Sequence, residues 1–122
     1  MAARELGDGQ TSRRDILIDR ILEQGNLDSE VAEQLEQIRH HKVSGVVHAG
    51  SIVEARRSDG VWMLYILVDR RSAIVKIDDV MIAIISLRTP VAQALLGGVV
   101  DDVVSVVVEN RAKHDLTIVE VR

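Results

Sequence analysis

The stretch "GNLDSEVAEQ", residues 25–34, gathers carboxylate, amide and hydroxyl side chains at a helix start. Asp28 and Glu30 lie two positions apart where an apolar-periodic run begins, with Asn26 and Ser29 beside them. These carboxylates serve a helix start, where a capping oxygen and negative charge are favourable by about 0.3–1 kcal/mol each. A second cluster is "RTPVAQ", residues 88–93. Thr89 is placed to cap a helix, Pro90 fits the first helical position, where the missing N–H costs nothing, and Arg88 stands exposed beside them.

His40, His41 and His48 raise a metal reading, but adjacent helical residues point about 100° apart, so His40 and His41 do not share one ion. There is no cysteine, no glycine-rich phosphate loop leading into a helix and no HExxH spacing. An apolar isomerase cup lined by aromatic rings cannot be built from Trp62 and Tyr65, the only aromatics. No catalytic residue, no bound metal and no cofactor are therefore expected, and the chain reads as a non-enzyme.

The elements that position these groups fall into two parts. Residues 1–11 read as a flexible tail. Residues 12–42 read as a helical hairpin, a short coiled coil. Ser12 with Asp15 has the form of a capping box, and Leu17, Ile18, Ile21 and Leu22 share one helical face up to Gly25. Asp28 or Ser29 caps a second helix, in which Val31, Leu35 and Ile38 repeat at helical spacing and Glu30, Glu33, Glu36 and Arg39 face outward. The short joint predicts antiparallel helices with their apolar stripes together, each arm roughly 20 Å long. From residue 43 the pattern turns β-branched: "SIVEARR", "VWMLYILVD", "DVMIAIIS", "VVSVVVE" and "LTIVEVR" are of strand length, and Asp59-Gly60 marks a hairpin between the first two. Between the third and fourth, "TPVAQALLGG" predicts a short helix with Val91, Ala94 and Leu95 inward. The fold class is α+β.

Composition bounds the role. The 122 residues suffice for one domain with an appendage, and 47% hydrophobic with 28% charged residues describes a globular chain. A net charge of −4 argues against a surface built to grip nucleic-acid phosphates, so no direct sequence-specific nucleic-acid contact is expected. No apolar run reaches membrane-span length and the N-terminus lacks a signal-peptide core, so a cytoplasmic protein without a membrane contact is expected.

The order of strands, the Thr89-Pro90 junction, Ala94-Leu95-Leu96-Gly97, the Asp102-Val103-Val104 turn and the Ile118-to-Arg122 ending together resemble the C-terminal domain of the Gre family of bacterial transcription elongation factors. The likeness covers about 75 residues from the hairpin strands onward. It implies an FKBP-like antiparallel sheet domain with one short helix, which in that family docks on RNA polymerase at the rim of the secondary channel. It also implies that Arg88, Thr89, Pro90 and Gln93 form the polymerase-docking corner, and that Asn26, Asp28, Ser29 and Glu30 match the family's acidic hairpin tip. In that family the tip helps to hold a catalytic magnesium ion; Asn26 stands where it has an aspartate, and an amide oxygen ligates such a cation but brings no charge, so the resemblance implies a lower affinity. Arg88 stands where an acidic residue is common, and the arm is short, as in the Rnk-type regulators. The resemblance thus implies a transcription regulator that binds polymerase without stimulating transcript cleavage. The alternative is a self-associating, homodimeric structural or interaction protein with a Gre-like domain, held by the helices or by an edge of the valine-rich "VVDDVVSVVVE" segment.

Overall fold

A computed structural model describes residues 13–41, 44–107 and 113–122, so the residues 1–11 tail and the Ser12 cap lie outside the described residues. Two helices come first, α1 (Arg13–Gln24) and α2 (Ser29–Ile38). The strands β1 (Ile52–Arg57), β2 (Trp62–Val68), β3 (Ala73–Ile77), β4 (Val80–Ser86), β5 (Val103–Val107) and β6 (Lys113–Val121) follow, with α3 (Pro90–Leu95) between β4 and β5. They form one six-stranded sheet in the order β3-β4-β2-β1-β6-β5.

β1 and β2 form the hairpin expected at Asp59-Gly60: Gly60 has φ +89°, and the Arg57 N–H donates to the Val61 carbonyl at 2.8 Å. β3 is an additional strand. Its turn into β4 is Asp78-Asp79, both left-handed at φ 51° and 66°, a primed hairpin turn made without glycine or asparagine. This strand changes the topology. The loop 69–72 carries the chain from β2 past the position of β4, and the β3–β4 hairpin then returns β4 between β3 and β2. β4 therefore runs parallel to β2, with Ile66 opposite Ile84, while the other four pairings are antiparallel. The sheet is mixed rather than wholly antiparallel.

Alternation along β2 divides the interior into two cores. On one face Ile66 and Val68 join Ile52, Val75, Ile77, Ile82 and Ile84, and the stripes of α1 (Ile18, Ile21) and α2 (Val31, Leu35, Ile38) pack onto them. The stripes expected to lie together do share one apolar cluster, and this sheet face closes it. Two short helices are marginal by themselves, and the β-branched sheet face supplies the further apolar surface that buries them. On the other face Tyr65 and Leu67 join Val53, Ala55, Ala83, Ile85, Val106, Leu116 and Ile118 beneath α3. α3 buries Ala92 and Leu95 fully and Val91 and Ala94 in part, so its inward face is rotated from the one expected.

Candidate functional site

The Thr89-Pro90 corner is built from the last residue of β4. Ser86 is buried; its carbonyl accepts from the Thr89 hydroxyl at 2.9 Å, and its hydroxyl accepts from the Arg88 N–H at 3.1 Å. Thr89 caps α3, its oxygen accepting from the Ala92 N–H at 3.2 Å, and Pro90 opens the helix. Gln93 turns back and donates from Nε2 to the Leu87 carbonyl. Thr89, Pro90 and Gln93 thus hold the corner's shape. Arg88 is exposed, and its guanidinium has no partner among the described residues. It is the group at this corner left free to meet another molecule.

The hairpin tip is arranged differently. Asn26 turns the chain at φ 52°, and Asp28 caps α2 by accepting from the Val31 N–H at 3.0 Å. Ser29 is the first residue of α2 and is exposed. The tip carboxylates face arginines of the 69–72 loop. Arg71 reaches Asp28 at 3.0 Å and Glu30 at 3.4 Å, and Arg70 reaches Glu30 at 3.5 Å. These pairs are half exposed, so each is weak alone. Together they place positive charge beside the two carboxylates that a cation would need.

One buried side chain sets that loop. Gln34 is 2% exposed and lies within the apolar stripe of α2. Its Oε1 accepts from the Arg70 and Arg71 N–H groups at 2.8 and 2.9 Å, and its Nε2 donates to the Arg71 carbonyl at 3.0 Å. One residue on, the Ser72 hydroxyl accepts from the Ser86 N–H at 2.9 Å. The tip, the loop and the Arg88 corner therefore stand at one end of the sheet, where the parallel strands β2 and β4 both finish. Sequence reading missed Arg70, Arg71, Ser72 and Gln34. Only Gln34 carried a signal, a polar residue three positions from Val31 and four from Ile38 on an otherwise apolar stripe.

Other candidates resolve locally. His41 and His48 both place Nδ1 against the Ala49 carbonyl, at 3.1 and 2.6 Å, which engages them in shaping the 48–51 turn. Trp62 and Tyr65 lie on opposite sheet faces; Arg56 sits 5.7 Å over the Trp62 ring, and Tyr65 lines a cavity of about 200 Å³ beside Val91 of α3. Among the described residues no three His, Asp or Glu side chains are grouped to hold a metal ion, and no helix is long and apolar enough to cross a membrane.

Comparison with known proteins agrees with this architecture. No curated protein matches the chain. Among solved structures it is similar to Gfh1 of Thermus aquaticus, with 20% identity, a TM-score of 0.51, and 89% of this chain and 82% of that one covered. GreA factor homolog 1 (Gfh1) of Thermus thermophilus is similar at 22% identity and a TM-score of 0.50, with the same coverage of 89% and 82%. At such identities the likeness speaks to the fold, two helices followed by this sheet. The family model for the C-terminal domain of transcription elongation factors GreA/GreB matches residues 42–122, the whole sheet with α3 and the Arg88 corner. By that match over well more than half of its length, the chain belongs to the GreA/GreB family of transcription elongation factors.

Proposed function

We propose that this chain is a transcription regulator that binds RNA polymerase near its secondary channel, docking through the Arg88–Gln93 corner, and that it neither stimulates transcript cleavage nor carries an enzymatic activity of its own. The observation that carries the reading is the contrast between the charges of the corner and those of the tip. Among the described residues the Arg88 guanidinium has no partner, whereas Asp28 and Glu30 are matched to Arg71 and Arg70 of the same chain. A tip whose carboxylates already face arginines is a poor ligand for a catalytic cation. The helices also lie along the sheet, with Ile18, Ile21, Val31, Leu35 and Ile38 buried on it, so the arm has little free length to extend into a channel.

The test uses purified bacterial RNA polymerase and the full chain. Retention of the chain by polymerase, lost on Arg88→Glu with the fold intact, supports docking through this corner; no retention at all overturns it. In the same preparation, stalled elongation complexes should give no faster transcript cleavage with the chain than without it. Robust cleavage would sink the second half of the proposal.

A further inference from the structure

We propose that β5 is a self-complementary edge through which two copies of this chain pair antiparallel about a twofold axis at Ser105, extending the sheet across the dimer. The inference does not depend on the polymerase reading and uses residues away from the Arg88 corner.

The hydrogen-bond pattern fixes which groups are free. The Ile118 N–H donates to the Asp102 carbonyl at 2.9 Å, and Val103 lies opposite Thr117. In an antiparallel pair, hydrogen-bonded and non-bonded positions alternate. Val104 and Val106 therefore bond to β6, and the N–H and C=O of Val103, Ser105 and Val107 point away from the sheet. The bonding on the other side of β6 agrees, because Ser58 donates to the Asp115 carbonyl and so turns Asp115 toward β1. β5 is the last strand of the sheet, and no described residue pairs with its outer side.

Those three outward positions are symmetric about Ser105. With Ser105 of one copy opposite Ser105 of the other, Val103 falls opposite Val107 and Val107 opposite Val103. All three pairs are then of the hydrogen-bonded kind, giving about six backbone bonds across the junction. A register slipped by one residue would point these groups away from each other. Side chains fit the same arrangement: Val103 is 63% exposed and Val107 58% exposed, and pairing sets each valine against the other. No charge opposes itself, because β5 has none.

The opposite edge differs. β3 carries the exposed Lys76 in mid-strand and ends at Asp78 and Asp79, the charges with which proteins keep an edge unpaired. β5 has no lysine, proline or bulge. Such a junction relates identical patches by a twofold, the commonest arrangement of soluble oligomers. A five-residue edge buries less than the roughly 1,200–2,000 Å² of a stable complex, so the dimer should be reversible and concentration-dependent.

The chain has no cysteine, which makes the register directly testable. Ser105→Cys should form a disulfide-linked dimer under mild oxidation, since residues directly opposite place their Cα atoms about 5.5 Å apart. Val103→Cys alone should cross-link far more slowly, because two copies of position 103 would lie roughly 14 Å apart along the strands, at about 3.4 Å per residue. Val103→Cys mixed with Val107→Cys should restore cross-linking. Sedimentation equilibrium of the unmodified chain should show reversible dimers, weakened at least about tenfold by Val103→Lys, a change at an exposed position that the fold tolerates. Monomer at every concentration, equal cross-linking of Val103→Cys and Ser105→Cys, or a dimer unaffected by Val103→Lys would each overturn the proposal. So would capture of β5 by a strand of a different protein with no self-pairing.

Discussion

Arg14, near the start of α1, donates from its guanidinium to the carbonyl oxygen of Ile38, the last residue of α2. The same group donates to the Gly50 carbonyl at 2.7 Å and the Arg122 carbonyl at 3.2 Å. Arg14 is 4% exposed, and burial lowers its pKa from the ordinary arginine value. A single buried cation thus adds a second donor to a carbonyl at a helix end, where the His41 N–H already reaches it, and ties both helices to Arg122. It also shows the helices to be antiparallel, since opposite ends of α1 and α2 meet here. Arg14→Met should cost about 1–3 kcal/mol, because the buried Gly50 carbonyl loses its donor while the Ile38 and Arg122 carbonyls each lose one of two. Equilibrium urea unfolding measures this; a loss well below about 1 kcal/mol would show that the bonds contribute little.

Gly50 admits no side chain. Its φ of +90° lies in the region that L-residues avoid, and an added Cβ would fall 2.1 Å from His41 Nδ1. Gly50→Ala should lower the unfolding midpoint by an amount equivalent to about 2 kcal/mol or more. Gly45→Ala is the matched control, since a Cβ there meets nothing within 4 Å.

The tip arginines and the glutamine beneath them should separate cleanly. Arg71→Ala removes exposed ion pairs to Asp28 and Glu30 and should cost less than about 1 kcal/mol, with the effect fading in high salt. Gln34→Leu leaves the Arg70 and Arg71 N–H groups without their acceptor and should cost about 1–3 kcal/mol regardless of salt. If salt erased both effects alike, the loop would be held by charge and not by Gln34.

Tyr65 is the single tyrosine, so its phenol can be followed by absorbance. Burial raises its pKa above the ordinary tyrosine value, with the nearby Arg57 charge pulling the other way. The folded state then favours the neutral phenol. Its contribution to stability is complete below the unfolded pKa near 10 and is lost as pH rises through the folded value. Phenolate absorbance should therefore appear above about pH 10, together with loss of the fold, and Tyr65→Phe should remove that component of alkaline unfolding. A midpoint at or below 10 with the fold intact would contradict the burial argument.

Periodicity and turn chemistry were enough to read much of this protein from its residues. Apolar spacing marked Ile18, Ile21, Val31, Leu35 and Ile38, all buried. Thr89-Pro90, Asp28 and Asp59-Gly60 each act through atoms within three residues of themselves, so their roles survive in a linear text. β3 escaped because its turn, Asp78-Asp79, uses left-handed aspartates where glycine or asparagine is the usual sign. The parallel pairing of β2 with β4 followed from that one strand and could not be seen without it.

What the tertiary structure alone decided is where the charges and stripes point. An amphipathic helix states that it has a buried face but not every surface that buries it, and here one sheet face closes over both stripes. Arg14 reads as one more helix-surface arginine until Gly50 and Arg122, 36 and 108 residues away, bring their carbonyls to it. Likewise Asp28 and Glu30 look like free ligands until the loop that Gln34 holds sets Arg70 and Arg71 against them. Local geometry is written in neighbouring residues, whereas charge pairing depends on distance in space, which only the folded chain defines.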